Sequence, residues 1–224
     1  MKAVVLMSRI PVPGHTKTRL IGALTPEQAA TVHRAFLKDI GSQLTECGED
    51  TTPFLYLGNE GPAGLALDVL PDGVEVIHQL STPLGERMQH LFEQLFARGF
   101  ESVVLFGADV PEIQESDLRL AQAALVQSDI VFGPTLDGGF YLIGMNRLHD
   151  AVFSPDIAWG TSAVYRQSVE QIGQQIRVAE VRQLRDMDDI DDLLALHNTP
   201  GAADACPESA AVVQRLLERK QWTA

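Results

Sequence analysis

The stretch ESVVLFGADVPEI, residues 101–113, decides the fold of this chain of 224 residues. Its first part, residues 101–107, is a short apolar run with two valines and a phenylalanine, which predicts a buried central strand. Asp109 follows this run, so we expect it at the carboxyl end of the strand, where ligands bind in open α/β sheets. A carboxylate there suits Mg²⁺, although a single aspartate after a strand is also often a helix cap.

Strands and helices alternate on both sides of this stretch. Further strands are predicted at 2–7, 53–58, 74–78, 129–133, 139–144 and 176–181. Helices are predicted from Pro26 to about Cys47 and at 85–98, 115–127, 161–173, 188–197 and 207–220, with a capping box at Thr25 and Gln28. The alternation predicts a three-layer α/β/α sandwich around a mostly parallel, mixed sheet. We assign residues 1–200 to one domain and 201–224 to a linker and helix, which belong to the same fold or to an interface.

The composition limits the partners. The formal net charge of −13 argues against nucleic acid or an anionic membrane, but a small basic pocket could still bind a nucleotide. Two distant cysteines, Cys47 and Cys206, form neither a disulfide framework nor a zinc site. We see no segment long enough to span a membrane and no signal peptide. The prediction is a cytoplasmic protein, with a homodimer as one assembly it could form.

The first loop, SRIPVPGHTKTRL at residues 8–20, follows the first strand and carries Arg9, Lys17 and Arg19. Basic side chains and loop amides are what a polyphosphate requires, and Gly14 allows the backbone to approach a ligand closely. Neither the P-loop nor the dinucleotide pattern fits, because the required glycines are absent. The alternative is a surface loop stiffened by its prolines.

Two more segments place polar residues beside apolar runs. In GPTLDGGFYLIGM, residues 133–145, Asp137 lies in a glycine-rich turn where it could contact an acceptor. In IAWGTSAV, residues 157–164, Thr161 is predicted to cap a helix and to form an anion site with Ser162 and the helix amides. The alternatives are an ordinary turn and a capped helix with a core tryptophan.

An aspartate cluster, RDMDDIDDL at residues 185–193, completes the set. Aspartates favour helix starts, so a solvated helix start is one interpretation. If the strand at 176–181 is central, Asp186 and Asp188 converge with Asp109 on a metal ion. Carboxylates held that close together repel one another unless a cation is bound.

Together these motifs resemble those of a known family. They resemble, in order and spacing, the motifs of bacterial glycosyltransferase-like proteins, also called selenodomain-associated transferases. The segments that carry the resemblance are 7–20, 84–88, 107–113, 133–145, 157–164 and 184–193. That family belongs to the nucleotide-diphospho-sugar transferase superfamily, which has the GT-A fold. The resemblance covers roughly residues 1–196 and implies a metal-dependent enzyme that uses a nucleotide.

The resemblance also implies roles for single residues. The nucleotide phosphates would be bound by Ser8, Arg9, Gly14, Lys17 and Arg19. The base and ribose would be lined by Leu84, Gly85, Glu86 and Arg87. One or two Mg²⁺ ions, or Mn²⁺ in their place, would be held by Asp109, Asp186 and Asp188. The small-molecule acceptor would be faced by Asp137, Gly138, Gly139, Phe140, Tyr141, Thr161 and Ser162. The candidate catalytic residues are Lys17, Asp109 and Asp137.

Two departures from related families leave the reaction open. Glycosyltransferases of this fold usually hold their metal with Asp-x-Asp, whereas this chain has Gly107-Ala108-Asp109, closer to the nucleotidyltransferase pattern. Nucleotidyltransferases usually begin with Gly-x-Gly-x-Arg, whereas this chain has Ser8-Arg9 followed by two prolines. The main hypothesis is nucleotidyl transfer from a nucleoside triphosphate to a small phosphorylated or acidic acceptor. The alternatives are glycosyl transfer from a nucleotide-sugar, with Asp137 as the base, and a nucleotide-binding partner module without turnover.

Overall fold

The computed structural model describes residues 1–45, 47–48 and 50–219. One seven-stranded sheet is built from β1 (Lys2–Ser8), β2 (Thr51–Leu57), β3 (Glu75–His78), β4 (Ser102–Gly107), β5 (Ile130–Pro134), β6 (Phe140–Met145) and β7 (Val178–Glu180). The strand order is β3-β2-β1-β4-β6-β5-β7, and β6 runs antiparallel to both of its neighbours while the other pairs are parallel. Each strand predicted from the sequence is present.

The helices are α1 (Pro26–Leu44), α2 (Gly64–Leu67), α3 (Leu84–Ala97), α4 (Glu115–Ala124), α5 (Val164–Ile172), α6 (Ile190–Asn198), α7 (Ala202–Ala205) and α8 (Pro207–Arg219). The capping box is confirmed, because the Thr25 hydroxyl accepts from the Gln28 N–H and the Gln28 side chain accepts from the Thr25 N–H. The short helices α2 and α7 were not predicted, and α1 ends before Cys47. The predicted end of the last helix, Lys220, lies outside the described residues.

The cap predicted at Thr161 is wrong. Helix α5 begins three residues later, at Val164, and its N-cap is Ala163 without a capping side chain. The Thr161 hydroxyl instead donates to the Ala158 carbonyl oxygen at 2.8 Å, within the turn that precedes the helix. The same hydroxyl oxygen accepts from the Ala163 N–H at 3.3 Å, so Thr161 closes the turn before the helix instead of capping the first turn of α5.

Helices cover both faces of the sheet. Helices α1, α4, α6 and α8 pack on one face and α3 and α5 on the other, which confirms the predicted three-layer sandwich. The chain runs outward from β1 to β3 and then returns to β4 on the other side of β1. The loops after β1 and β4 therefore diverge, and a crevice forms between them, as is typical of such a topological switch point.

The last helix is anchored to the main body. The buried Asp39 carboxylate on α1 accepts from the N–H groups of Glu208 and Ser209 at the start of α8, at 3.0 and 2.8 Å. Such contacts satisfy backbone donors that a helix start leaves unpaired. The domain division at residue 200 stays a prediction. None of the described helices is long and apolar enough to cross a membrane.

Candidate active site

A cleft of about 540 Å³ opens at the carboxyl ends of β1 and β4. Its walls are the loop after β1, the start of α3, the loop after β4, the turn between β5 and β6, and the segments before α5 and α6. The predicted site residues that line this cleft are Ser8, Arg9, Lys17, Arg19, Leu84, Arg87, Asp109, Asp137, Gly139, Phe140, Tyr141, Thr161, Asp186 and Asp188. Residues from six separate motifs thus share one cavity.

The other five predicted residues do not line the cleft. Gly14 is exposed in its loop, and Glu86 is exposed in the first turn of α3. Gly85 lies against the indole of Trp159, since a Cβ there would be 2.9 Å from the ring. Gly138 lies against the Ser162 backbone, since a Cβ there would be 2.1 Å from the Ser162 carbonyl oxygen. Their predicted contacts with ligands stay predictions.

Lys17 holds its ammonium group at the base of the cleft. Its side chain is 5% exposed, and Nζ lies 2.5 Å from Asp109 Oδ1 and donates to the Met187 carbonyl oxygen at 2.6 Å. The ring of Phe36 lies 5.2 Å from Nζ, within the range of a cation–π contact. Among the described residues, Lys17 is the one non-glycine residue with a positive φ, at 45°. This left-handed conformation costs about 1–2 kcal/mol, so the surrounding contacts impose it.

Asp109 shares this ion pair and remains 52% exposed toward the cleft. The surrounding protein raises its pKa by desolvation, but Lys17, together with His33, lowers it more, so the pKa lies below its ordinary value. The carboxylate is therefore charged at neutral pH. The Met187 N–H donates to the Asp109 carbonyl oxygen at 2.8 Å, which fixes the aspartate-rich segment beside the end of β4.

Three carboxylates that line the cleft, those of Asp137, Asp186 and Asp188, lie close enough to repel one another. Burial raises the pKa of Asp186 to about 6, and repulsion from Asp137 and Asp188 adds to the shift. Burial also raises the pKa of Asp188, against the opposing effect of Lys17. The Arg19 guanidinium pairs with Asp188, whereas Asp186 forms no ion pair with any residue that the structure describes. The folded chain thus holds negative charge together at an energetic cost.

This donor set fits a hard divalent cation, because Mg²⁺ prefers carboxylate oxygens and would offset their repulsion. Within the described residues, no three histidine, cysteine, aspartate or glutamate side chains are already arranged as a metal site. Two of the predicted ligands are paired with basic side chains instead, Asp109 with Lys17 and Asp188 with Arg19. The predicted ligand set of Asp109, Asp186 and Asp188 stays a prediction, and it requires these basic side chains to move.

Phe140, Tyr141 and Trp159 form an aromatic wall of the cleft. The Phe140 and Trp159 rings meet edge to face, with centroids 6.3 Å apart. Tyr141 is buried, and its hydroxyl donates to the Arg182 carbonyl oxygen at 3.0 Å, while burial raises its pKa. Tyr141 therefore anchors the wall. Asp137 Oδ1 accepts from the Gly139 N–H at 3.0 Å, so this carboxylate holds its own turn while lying on the cleft.

Gly138, in the turn between β5 and β6, lies against Ser162 in the segment before α5. This contact can be tested with a matched pair of variants. Gly138→Ala is expected to destabilise the fold by about 1–3 kcal/mol more than Gly160→Ala, because overpacking adds to the cost of a positive φ. Both glycines have a positive φ, 92° and 81°, but a Cβ on Gly138 would lie 2.1 Å from the Ser162 carbonyl oxygen while one on Gly160 meets nothing within 4 Å. Urea unfolding measures the difference. Equal losses in the two variants would show that the loops separate freely.

The sequence did not identify several cleft residues, among them Thr16, His33 and Gln79. His33 interrupts the apolar face of α1, and this was the available signal. Gln79 has no local signal. It is buried after β3, its amide donates to the Ser8 carbonyl oxygen at 2.9 Å, and its Oε1 accepts from Arg87 at 2.6 Å. It therefore connects the loop after β1 to α3.

The buried imidazole of His33 predicts a loss of stability in acid. Burial lowers its pKa from 6.5 to about 4; Asp109 opposes this shift, whereas Lys17 and Arg9 add to it. Because the folded-state pKa is lower than that of the unfolded chain, the contribution is complete above pH 6.5 and is lost as the pH falls toward 4. We expect about 2–3 kcal/mol to be lost by pH 4.5.

Urea unfolding at pH 7.0 and pH 4.5 checks this expectation, with His33→Gln compared to wild type. The difference between the two pH values should shrink in His33→Gln and stay unchanged in the control His90→Gln, whose side chain is exposed. The same pH dependence in all three proteins would mean that other groups cause the loss.

Comparison with known proteins identifies the family and the fold of this chain. A family model described as an uncharacterized protein conserved in bacteria (DUF2064) matches residues 43–161. No curated protein matches the chain. Among solved structures, a protein of Desulfovibrio desulfuricans G20 assigned as a nucleotide-diphospho-sugar transferase is 27% identical, with a TM-score of 0.81 over 96% of this chain and 97% of that one.

More distant structures have the same fold. The 4-diphosphocytidyl-2C-methyl-D-erythritol synthase of Anaerococcus prevotii DSM 20548 is 11% identical, with a TM-score of 0.61 over 96% of each chain. Rv0371c of Mycobacterium tuberculosis H37Rv, in complex with manganese, is 20% identical, with a TM-score of 0.52 over 87% of this chain and 96% of that one. These distant likenesses show the fold alone, whereas the similar protein of Desulfovibrio desulfuricans, at 27% identity, confirms the predicted superfamily and supports a transferase.

Proposed function

Since the chain belongs to the bacterial family DUF2064 and has the fold of the nucleotide-diphospho-sugar transferases, we propose that it is a divalent-metal-dependent nucleotidyltransferase. Its donor is a nucleoside triphosphate, and its acceptor is a small phosphorylated or acidic molecule. The metal is Mg²⁺, with Mn²⁺ as a substitute. The observation that carries the proposal is the cleft at the switch point, where Lys17 meets Asp109 beside a group of repelling carboxylates.

The basic side of the cleft is suited to phosphates. Burial lowers the pKa of Arg87, and the charge of Arg9, which also lines the cleft, lowers it further, so the two guanidinium groups repel each other. The buried Nε–H of Arg87 also has no hydrogen-bond partner among the described residues. Two repelling cations with an unused donor favour an anion between them. Lys17 and Arg19 extend this side along the path of a triphosphate.

The proposed reaction is an in-line substitution at the α-phosphate. An acceptor oxygen forms a bond to the α-phosphorus, the bond to the β-phosphate oxygen breaks, and pyrophosphate leaves with the electron pair. Lys17 and Arg19 stabilise the charge on the leaving pyrophosphate, while the aromatic wall and Asp137 position the acceptor. A bound divalent cation would supply Lewis-acid stabilisation at the phosphate, with Asp109, Asp186 and Asp188 as its holders. Catalysis is then mainly positioning and electrostatics.

Glycosyl transfer is the second candidate, because the similar protein of Desulfovibrio desulfuricans is assigned to the nucleotide-diphospho-sugar transferases. Asp137 is exposed on the cleft wall and is the candidate base for an acceptor hydroxyl. The two reactions differ in the leaving group, which is pyrophosphate in the first and a nucleoside diphosphate in the second.

A thermal-shift panel of nucleoside triphosphates and nucleotide-sugars, with and without Mg²⁺, tests the proposal first. A ligand at about a hundred times its dissociation constant adds roughly 2.7 kcal/mol of stability. The shift in melting temperature should require Mg²⁺ and should be lost in Asp109→Asn. It should persist in the control Asp72→Asn, whose side chain is exposed in the turn before β3. Chromatography of the released product then identifies the leaving group.

The outcomes separate the candidates. Pyrophosphate release supports nucleotidyl transfer, and release of a nucleoside diphosphate replaces it with glycosyl transfer. Tight binding without any product favours a nucleotide-binding module, and the absence of a shift with every ligand overturns the assignment of the cleft.

A further inference from the structure

His33 ties together the two ends of the loop after β1. Its side chain lies on α1 and the residue is 2% exposed. Nε2 lies 3.1 Å from Ser8 Oγ, at the last residue of β1, and Nδ1 lies 2.5 Å from Thr16 Oγ1, just before Lys17. Ser8 and Thr16 are buried as well, so water does not compete for these hydrogen bonds.

The hydrogen bonds fix the tautomer of this imidazole. The Ser8 hydroxyl donates to the Arg9 carbonyl oxygen at 2.7 Å, so its oxygen is left to accept from His33. Nε2 therefore carries the proton, and Nδ1 accepts from the Thr16 hydroxyl. Thr16, His33, Ser8 and the Arg9 backbone form one directed chain in which each hydrogen has an acceptor.

The consequence falls on Lys17. This residue follows Thr16 directly, adopts the left-handed conformation that an unconstrained lysine avoids, and points its ammonium group to Asp109. Phe36, one helical turn after His33 on α1, lies beneath the same ammonium group. One face of α1 thus holds both the backbone before Lys17 and the end of its side chain.

We propose that His33 is a positioning residue: through Thr16 it holds Lys17 in the strained conformation that presents the ammonium group to the phosphates of the donor. This rests on the proposed function, in which Lys17 binds those phosphates. His33 itself touches no reacting atom. Its contribution is to fix the loop before the donor arrives, which lowers the ordering cost of binding.

Binding of inorganic tripolyphosphate, measured by isothermal titration calorimetry, tests the proposal without turnover. Thr16→Val is expected to weaken binding about tenfold. Thr16→Ser keeps the hydroxyl and should bind as tightly as the wild type. His33→Asn places an amide near the position of Nδ1 and should keep most of the affinity. His33→Gln places its amide near Nε2, loses the contact with Thr16 and should resemble Thr16→Val.

A double-mutant cycle with Lys17→Met separates positioning from a general structural effect. In the Lys17→Met background, Thr16→Val should have no further effect, because the group that it positions is gone. An undiminished tenfold loss in that background, or full affinity in Thr16→Val, overturns the inference while leaving the phosphate role of Lys17 intact. Equal binding by wild type and Lys17→Met overturns that role, and the inference with it.

Discussion

Lys17→Met is expected to lower donor-dependent product formation by about 10²–10³-fold, the usual effect of removing one preorganised donor from a transition state. The ammonium group is held at the base of the cleft by Asp109 and by the Met187 carbonyl oxygen, so solvent cannot take its place. Arg19, another cation that lines the cleft, is already paired with Asp188. A steady-state assay of the released product measures the loss.

The same variant should bind metal better in the absence of the donor. In the donor-free protein the ammonium group of Lys17 neutralises Asp109, and any cation must displace it. Methionine keeps much of the volume without the charge, so we expect Mn²⁺, followed by electron paramagnetic resonance, to bind roughly tenfold tighter to Lys17→Met. Opposite changes for metal and donor indicate that triphosphate and metal bind cooperatively in the wild type.

Controls distinguish this from loss of the fold. Lys38→Met removes a surface ion pair with Glu208, far from the cleft, and should change neither binding nor turnover. Melting temperatures of both variants show whether the fold survives. Weaker Mn²⁺ binding in a folded Lys17→Met would contradict the exchange of cations and would mean that the lysine supports the metal site in another way.

The sheet could be predicted from the sequence because its signals are local. Each strand is a short apolar run, such as residues 101–107, and the start of α1 is defined by a capping box within four residues. The alternation of strands and helices predicted an open sheet that binds ligands at the carboxyl ends of its strands. The loop after β1 and Asp109 were therefore both expected at one crevice. The family resemblance contributed the order of the motifs.

The details of the site depend on contacts between distant residues, which no local pattern specifies. Lys17 and Met187 are 170 positions apart in the sequence, yet the strained lysine is held by that carbonyl oxygen. His33 was visible only as one polar residue on an apolar helix face, since its two partners belong to another element. Thr161 was misassigned as a helix cap because α5 begins three residues later, and its hydroxyl bonds to Ala158 and Ala163 within the preceding turn.

Asp186→Asn is expected to stabilise the fold while abolishing its activity. Burial, and after it repulsion from Asp137 and Asp188, raises the pKa of Asp186 to about 6, so at pH 7.5 its charge destabilises the folded chain. Asparagine keeps the shape and removes the charge. After allowance for solvent screening, the gain is on the order of 1 kcal/mol, or roughly 2–4 °C in melting temperature for a chain of this size.

Activity should change in the opposite direction, by about 10² or more, because a neutral amide is a poor ligand for Mg²⁺ and the proposed site would lose a charge that offsets the phosphates. Mg²⁺ with a nucleoside triphosphate should raise the melting temperature of the wild type more than that of Asp186→Asn. In Asp72→Asn, which removes an exposed charge, neither the activity nor the rise in melting temperature should change. A variant that is both more stable and fully active would place Asp186 outside the catalytic machinery, whereas a gain in stability with loss of metal-dependent binding indicates that the strain at this carboxylate is retained for function.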